Sequence, residues 1–113
     1  MAIENGAGAV MCDSDYVVEF PHIPVLNTLD GLWKLAAAAR ERFAGPVVAI
    51  TGSNGKTTMR AWLEQLLSPV GVTHASVGSY NNHWGVPVSL SRLPRVADFV
   101  LFEVGTNHPG EIE

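Results

Sequence analysis

The sequence has 113 residues, 47% of them hydrophobic and 16% charged. That is the size of one small domain or of part of a larger protein, and a charged share below the roughly 25% usual for soluble proteins excludes a disordered chain. Seven basic residues against eleven acidic ones give a net charge of −4 with no run of like charge, which excludes the basic stripe of a nucleic-acid binder.

Met1 to Gly6 lacks the charged and apolar regions of a secretory leader. Ala2 to Gly6 reads as the last turn of a helix closed by Gly6, and Ala7 to Met11 as a short strand. Cys12 is the only cysteine, so no intrachain disulfide can form, which suits a reducing compartment. Residues 13–27 are expected to be irregular, because Pro21 and Pro24 bar a helix. Asn27 or Thr28 is placed to cap a helix starting near Leu29, with Asp30 favourable in its first turn. Leu29, Leu32, Trp33, Ala36, Ala39 and Phe43 recur every three or four residues as one apolar stripe, which assigns Trp33 to the core. Gly45-Pro46 stops this helix and is the expected boundary between two units, 1–45 and 46–113.

Strands and helices alternate after that boundary. Val47 to Ile50 is a short apolar run, expected to be a buried parallel strand. Gly52 to Gly55 forms a tight loop, and a helix follows from Lys56 to about Leu67 with Met59, Trp62, Leu63, Leu66 and Leu67 on its apolar face. Val72 to Val77 is a second strand. Gly78 to Gly85 is a polar loop, Pro87 suits the first turn of a short helix through Leu93, and Asp98 to Val104 is a third strand. No apolar run approaches the roughly 20 residues needed to span a bilayer. The order predicts an α/β fold, a P-loop-type parallel sheet with flanking helices and right-handed crossovers.

The segment Thr51-Gly-Ser-Asn-Gly-Lys-Thr-Thr58 lies between an apolar strand and an amphipathic helix. A phosphate-binding loop needs glycines that let backbone N–H groups approach anionic oxygens. It also needs a helix N-terminus, a lysine for the outer phosphates and a hydroxyl for Mg²⁺. Gly52, Gly55, Lys56 and Thr57 supply these in order. The spacing departs from Walker A, which wants a glycine where Ile50 stands. A metal needs a further ligand. Glu103 sits near the C-terminal end of the apolar strand Phe99-Val-Leu-Phe-Glu-Val, where ligands of open α/β sheets collect. A buried carboxylate must face a cation or a donor; Glu103 is expected to share Mg²⁺ with Thr57, the alternative being a salt-bridged or edge-exposed glutamate.

Ile50-Thr-Gly-Ser-Asn-Gly-Lys-Thr-Thr58 resembles the phosphate loop of the Mur ligases, the ATP-dependent amide-forming enzymes of peptidoglycan synthesis, a form shared with folylpolyglutamate and cyanophycin synthetases. Tyr80-Asn-Asn-His-Trp-Gly-Val-Pro87 and Glu103-Val-Gly-Thr-Asn-His-Pro-Gly-Glu-Ile112 resemble the branch of that family that adds D-alanyl-D-alanine to UDP-N-acetylmuramoyl-tripeptide. The resemblance extends upstream through the Ala-rich helix and Phe43-Ala-Gly-Pro46. It implies an ATP and Mg²⁺ site in a bacterial cytoplasmic enzyme, with Gly52, Ser53, Asn54, Gly55, Lys56, Thr57 and Thr58 around the nucleotide. Lys56 and Asn82 are the implied catalytic residues. Asn82 is preferred over Asn81 for orienting the metal shell or the incoming carboxylate, with turn residues as the alternative. Asn81, His83, Asn107 and His108 are implied substrate neighbours. The resemblance also implies a longer parent chain with a second metal site, an adenine pocket and a C-terminal domain. Residues 1–45 would then end a UDP-substrate domain, and 46–113 would begin the ATP-binding domain. A non-catalytic nucleotide- or phosphate-binding fragment, a related folylpolyglutamate or cyanophycin synthetase-type ligase, and another P-loop enzyme are the competing expectations.

Overall fold

The computed structural model describes residues 3–77 and 81–105; the expectations for Asn107 and His108 lie outside the described residues. Two parallel sheets are formed. The first pairs β1 (Val10–Asp13) with β2 (His22–Val25). The sequence pattern placed a strand three residues earlier and none at β2. The reason lies in β2 itself: its residues are mostly exposed, so no buried apolar alternation marks it, and Pro24 is tolerable only because the strand is an edge. Residues 3–6 form a turn rather than a helix end, with Gly6 N–H donating to the Ile3 carbonyl at 2.9 Å.

Helix α1 (Thr28–Glu41) is capped by Asn27, whose Oδ1 accepts from the N–H groups of Leu29 at 2.9 Å and Asp30 at 3.1 Å. Its buried positions are Gly31, Ala36 and Ala39. A Cβ on Gly31 would lie 2.6 Å from Met11 Sδ and 3.1 Å from Val25 Cγ1. The missing side chain is what lets the helix lie against β1 and β2. The apolar stripe is narrower than expected: Trp33 is 41% exposed and is not a core residue.

The second sheet contains β3 (Val47–Ile50), β4 (Thr73–Ala75) and β5 (Phe99–Glu103) in the order β3-β5-β4, all parallel. Helix α2 (Lys56–Leu67) connects β3 to β4, and α3 (Gly85–Ser91) connects β4 back to β5. The chain reverses direction across the sheet between these two crossovers, so right-handed connections put α2 and α3 on opposite faces. Side-chain alternation along β5 agrees. Val100 and Phe102 join Ala39, Phe43 and Leu93 in the main core cluster, while Glu103 meets α2. The Arg42 guanidinium, at the end of α1, donates to the Leu93 carbonyl beyond α3. Helix α2 sits differently from its amphipathic pattern: its half-buried residues include Arg60, Leu63, Glu64 and Leu67, while Met59, Trp62 and Leu66 are exposed.

Candidate phosphate and metal site

The loop that follows β3 needs backbone shapes that only glycine adopts cheaply. Gly55 is the N-cap of α2 with φ +79°, and Gly52 has φ +141°. No side chain caps α2, so its first N–H groups and the positive end of its dipole remain directed at the loop. The Lys56 ammonium donates to the Gly52 carbonyl at 2.6 Å, which holds the charge against the same loop.

Glu103 closes β5, paired in register with Ile50, the last residue of β3. This register sets its carboxylate at the base of the loop. The residue is 1% exposed. Its Oε2 accepts from the Thr57 hydroxyl at 3.0 Å, and its Oε1 accepts from Arg60 Nε at 2.9 Å. Its N–H donates to Ser76 Oγ at 3.2 Å. Arg60 Nη1 in turn donates to Glu64 Oε2 at 2.8 Å. Every buried side-chain polar atom among the described residues has a partner, as a buried ion pair requires if it is not to cost more than it returns.

A cavity of about 280 Å³ lies over this pair. Residues 53–58, Asn81 and Glu103 line it. Ser53, Asn54, Gly55, Lys56, Thr57 and Thr58 therefore all border it, and Gly52 contributes the carbonyl that holds Lys56. Of the two asparagines, Asn81 rather than Asn82 borders this cavity. The Asn82 Oδ1 is occupied by the N–H groups of Trp84 at 3.1 Å and Gly85 at 2.8 Å, so it starts α3. The Asn81 carbonyl accepts from Gly105 N–H at 2.7 Å, which joins the loops that follow β4 and β5.

A second cavity, of about 300 Å³, shares Asn81 and extends along Asn82, His83, Val86 and Gly105 to Trp33 of α1. His83 is exposed there, its ring 6.0 Å from that of Trp84. His74 packs edge-on to Phe102 and bonds the Ser89 carbonyl at 2.8 Å. Sequence reasoning missed Arg60. The signal was present, because Thr57, Arg60 and Glu64 follow helical spacing and share one face.

No cluster of three His, Cys, Asp or Glu side chains poised for a metal occurs among the described residues. One carboxylate and one hydroxyl fit a hard cation such as Mg²⁺, which takes few protein oxygens and completes its shell with water and phosphate oxygens. Residues 50–113 match the family model described as the Mur ligase middle domain. That stretch holds the phosphate loop, α2 and the Glu103 strand, more than half of the chain.

The chain belongs to the Mur ligase family. It is 38% identical over 108 residues to the UDP-N-acetylmuramoyl-tripeptide–D-alanyl-D-alanine ligase of Escherichia coli K12, covering 96% of this chain and 24% of that protein. Among solved structures it is similar to the UDP-N-acetylmuramoylalanyl-D-glutamyl-2,6-diaminopimelate–D-alanyl-D-alanyl ligase of Acinetobacter baumannii, with a TM-score of 0.82, 34% identity, and coverage of 96% of this chain and 24% of that one. It is also similar to the MurF ligase of Thermotoga maritima solved in complex with ADP, with a TM-score of 0.78, 31% identity, and coverage of 96% and 26%. This Mur ligase chain thus spans about a quarter of the length of the relatives it matches. Its described helices include none long and apolar enough to cross a membrane.

Proposed function

We propose that this chain supplies the phosphate loop and first metal ligands of a bacterial cytoplasmic ligase that joins D-alanyl-D-alanine to UDP-N-acetylmuramoyl-tripeptide, using ATP and Mg²⁺. The observation that carries this reading is the 3.0 Å bond between the Thr57 hydroxyl and the buried Glu103 carboxylate, set under a glycine-shaped loop. The relatives named for that reaction, and the ADP complex of one of them, support the choice of substrates and nucleotide.

A free carboxylate is a poor acyl donor because oxide is a poor leaving group. Transfer of the γ-phosphoryl group to the tripeptide carboxylate gives an acyl phosphate and ADP. The amine of D-alanyl-D-alanine then forms the amide bond, loses a proton, and releases phosphate. This chain's share of that work is positioning and charge neutralisation. Lys56 and the loop N–H groups hold the β- and γ-phosphates, Lys56 exchanging the Gly52 carbonyl for phosphate oxygen. Thr57 and Glu103 would hold Mg²⁺, which supplies further charge neutralisation when bound. In this reading Asn81, which borders both cavities, orients the incoming carboxylate, with His83 beside it. Residues 1–45 belong to the UDP-substrate domain in this reading, and 46–113 to the ATP-binding domain, which makes the remainder of a ligase the chain's first partner.

Lys56→Ala tests the assignment. A charge-assisted hydrogen bond contributes about 1.5–3 kcal/mol, so ATP affinity should fall about 10- to 100-fold by calorimetric titration. Unchanged affinity would refute the phosphate site.

A further inference from the structure

We infer that Arg60 is the positioning residue of the metal site: it holds one oxygen of Glu103 so that the other stays directed at Thr57 and the incoming cation. This rests on the metal reading proposed above and assigns a role to a residue outside the phosphate-loop motif.

The geometry divides the carboxylate in two. Arg60 Nε holds Oε1 at 2.9 Å, and Thr57 shares Oε2 at 3.0 Å. Arg60 does not border the phosphate cavity, so it acts through Glu103 and not on the nucleotide. Its side chain is 14% exposed, which keeps water from taking its place. The guanidinium is itself fixed, since Nη1 is bonded to Glu64 Oε2 at 2.8 Å one turn further along α2. A planar fork with donors in two directions can hold both acids at once, whereas an ammonium is a point charge. The consequence is that the ligand oxygen is aimed in advance, so little rotamer freedom remains to be lost on binding. Groups that orient metal ligands in this way are a general feature of metal sites.

The test uses the full-length gene product, with Mn²⁺ as the probe. Free Mn²⁺ is titrated by electron paramagnetic resonance at saturating ADP, and ADP binding is measured separately in chelator. Arg60→Met should weaken Mn²⁺ binding about 10- to 100-fold, the usual cost of losing a group that orients a metal ligand. ADP affinity in chelator should stay unchanged, because the phosphate loop is intact. Arg60→Lys should recover part of the loss but not all of it. Arg60→Met with parental Mn²⁺ affinity would overturn the inference. Where Arg60→Met does not fold, Arg60→Lys decides: a severalfold loss supports the role, and parental affinity overturns it. A parent protein that binds no Mn²⁺ with ADP would instead refute the metal site itself, which separates the two claims.

Discussion

Thr57→Val removes a hydroxyl while nearly preserving shape, so it isolates the bond on which the proposed metal site depends. In the parent protein, Glu103 receives two side-chain donors, one on each oxygen. The valine variant leaves Oε2 buried and unpaired, with Arg60 still on Oε1. An unsatisfied buried acceptor costs about 1–3 kcal/mol. Thr57 is itself exposed, so water can partly replace the hydroxyl, and the lower half of that range applies. With a urea m-value of about 1–3 kcal/mol/M, the unfolding midpoint should fall by roughly half a molar to one molar. Glu103→Gln, made alone and together with Thr57→Val, completes a double-mutant cycle. The pair should couple by at least about 0.5 kcal/mol, as touching groups do. Metal-dependent nucleotide binding should weaken in the same variant, while binding in chelator should not. A midpoint unchanged by Thr57→Val, with zero coupling in the cycle, would show that the two side chains do not meet in solution.

Gly55→Ala should lower stability by about 1–2 kcal/mol through the left-handed backbone alone, since the added Cβ meets nothing within 4 Å; urea unfolding measures this, and nucleotide affinity should fall with it. Leu101→Ala, at a fully buried site, should cost about 2–5 kcal/mol, whereas Trp33→Ala should cost well under the about 3–5 kcal/mol of a core tryptophan. The same unfolding assay compares the two, and equal losses would return Trp33 to the core.

Much of the region from Val47 to Glu103 was legible because its signals are strong and local, although β3, expected to be buried, leaves Val48 and Ala49 exposed. Short apolar runs, glycines at a strand-to-helix turn and a proline in a first helical turn each restrict the backbone directly. The glycine-shaped loop was legible for the same reason, and so was the Thr57–Glu103 meeting, since β3 and β5 end side by side and α2 starts just beyond β3. What was not legible depended on tertiary choice. The β2 strand is exposed and contains Pro24, so neither periodicity nor propensity marks it. The face of α2 was misjudged because an apolar count does not see that Arg60 is tied to a buried acid. The two adjacent asparagines differ by one position, and geometry gave Asn82 to the start of α3 and Asn81 to the cavity. A hint was there in Asn82 standing three residues before Gly85, the spacing of a helix-starting amide.

The placement of Glu103 also shows how the core sets the chemistry. Strand β5 lies between β3 and β4, and its side chains alternate between two faces. Val100 and Phe102 are held by α1 and α3 through the cluster with Ala39, Phe43 and Leu93. That leaves Glu103 no choice but the α2 face, level with the end of β3. A slip of one residue would turn the carboxylate into the apolar cluster and Phe102 toward Arg60. Both changes are costly, the first by burying an unpaired charge and the second by emptying the core. The register of the sheet is therefore locked by apolar residues that touch no ligand, and the acid is delivered to the phosphate loop as a consequence. A substitution on the far face of β5 should thus be able to disturb metal binding without contacting the site.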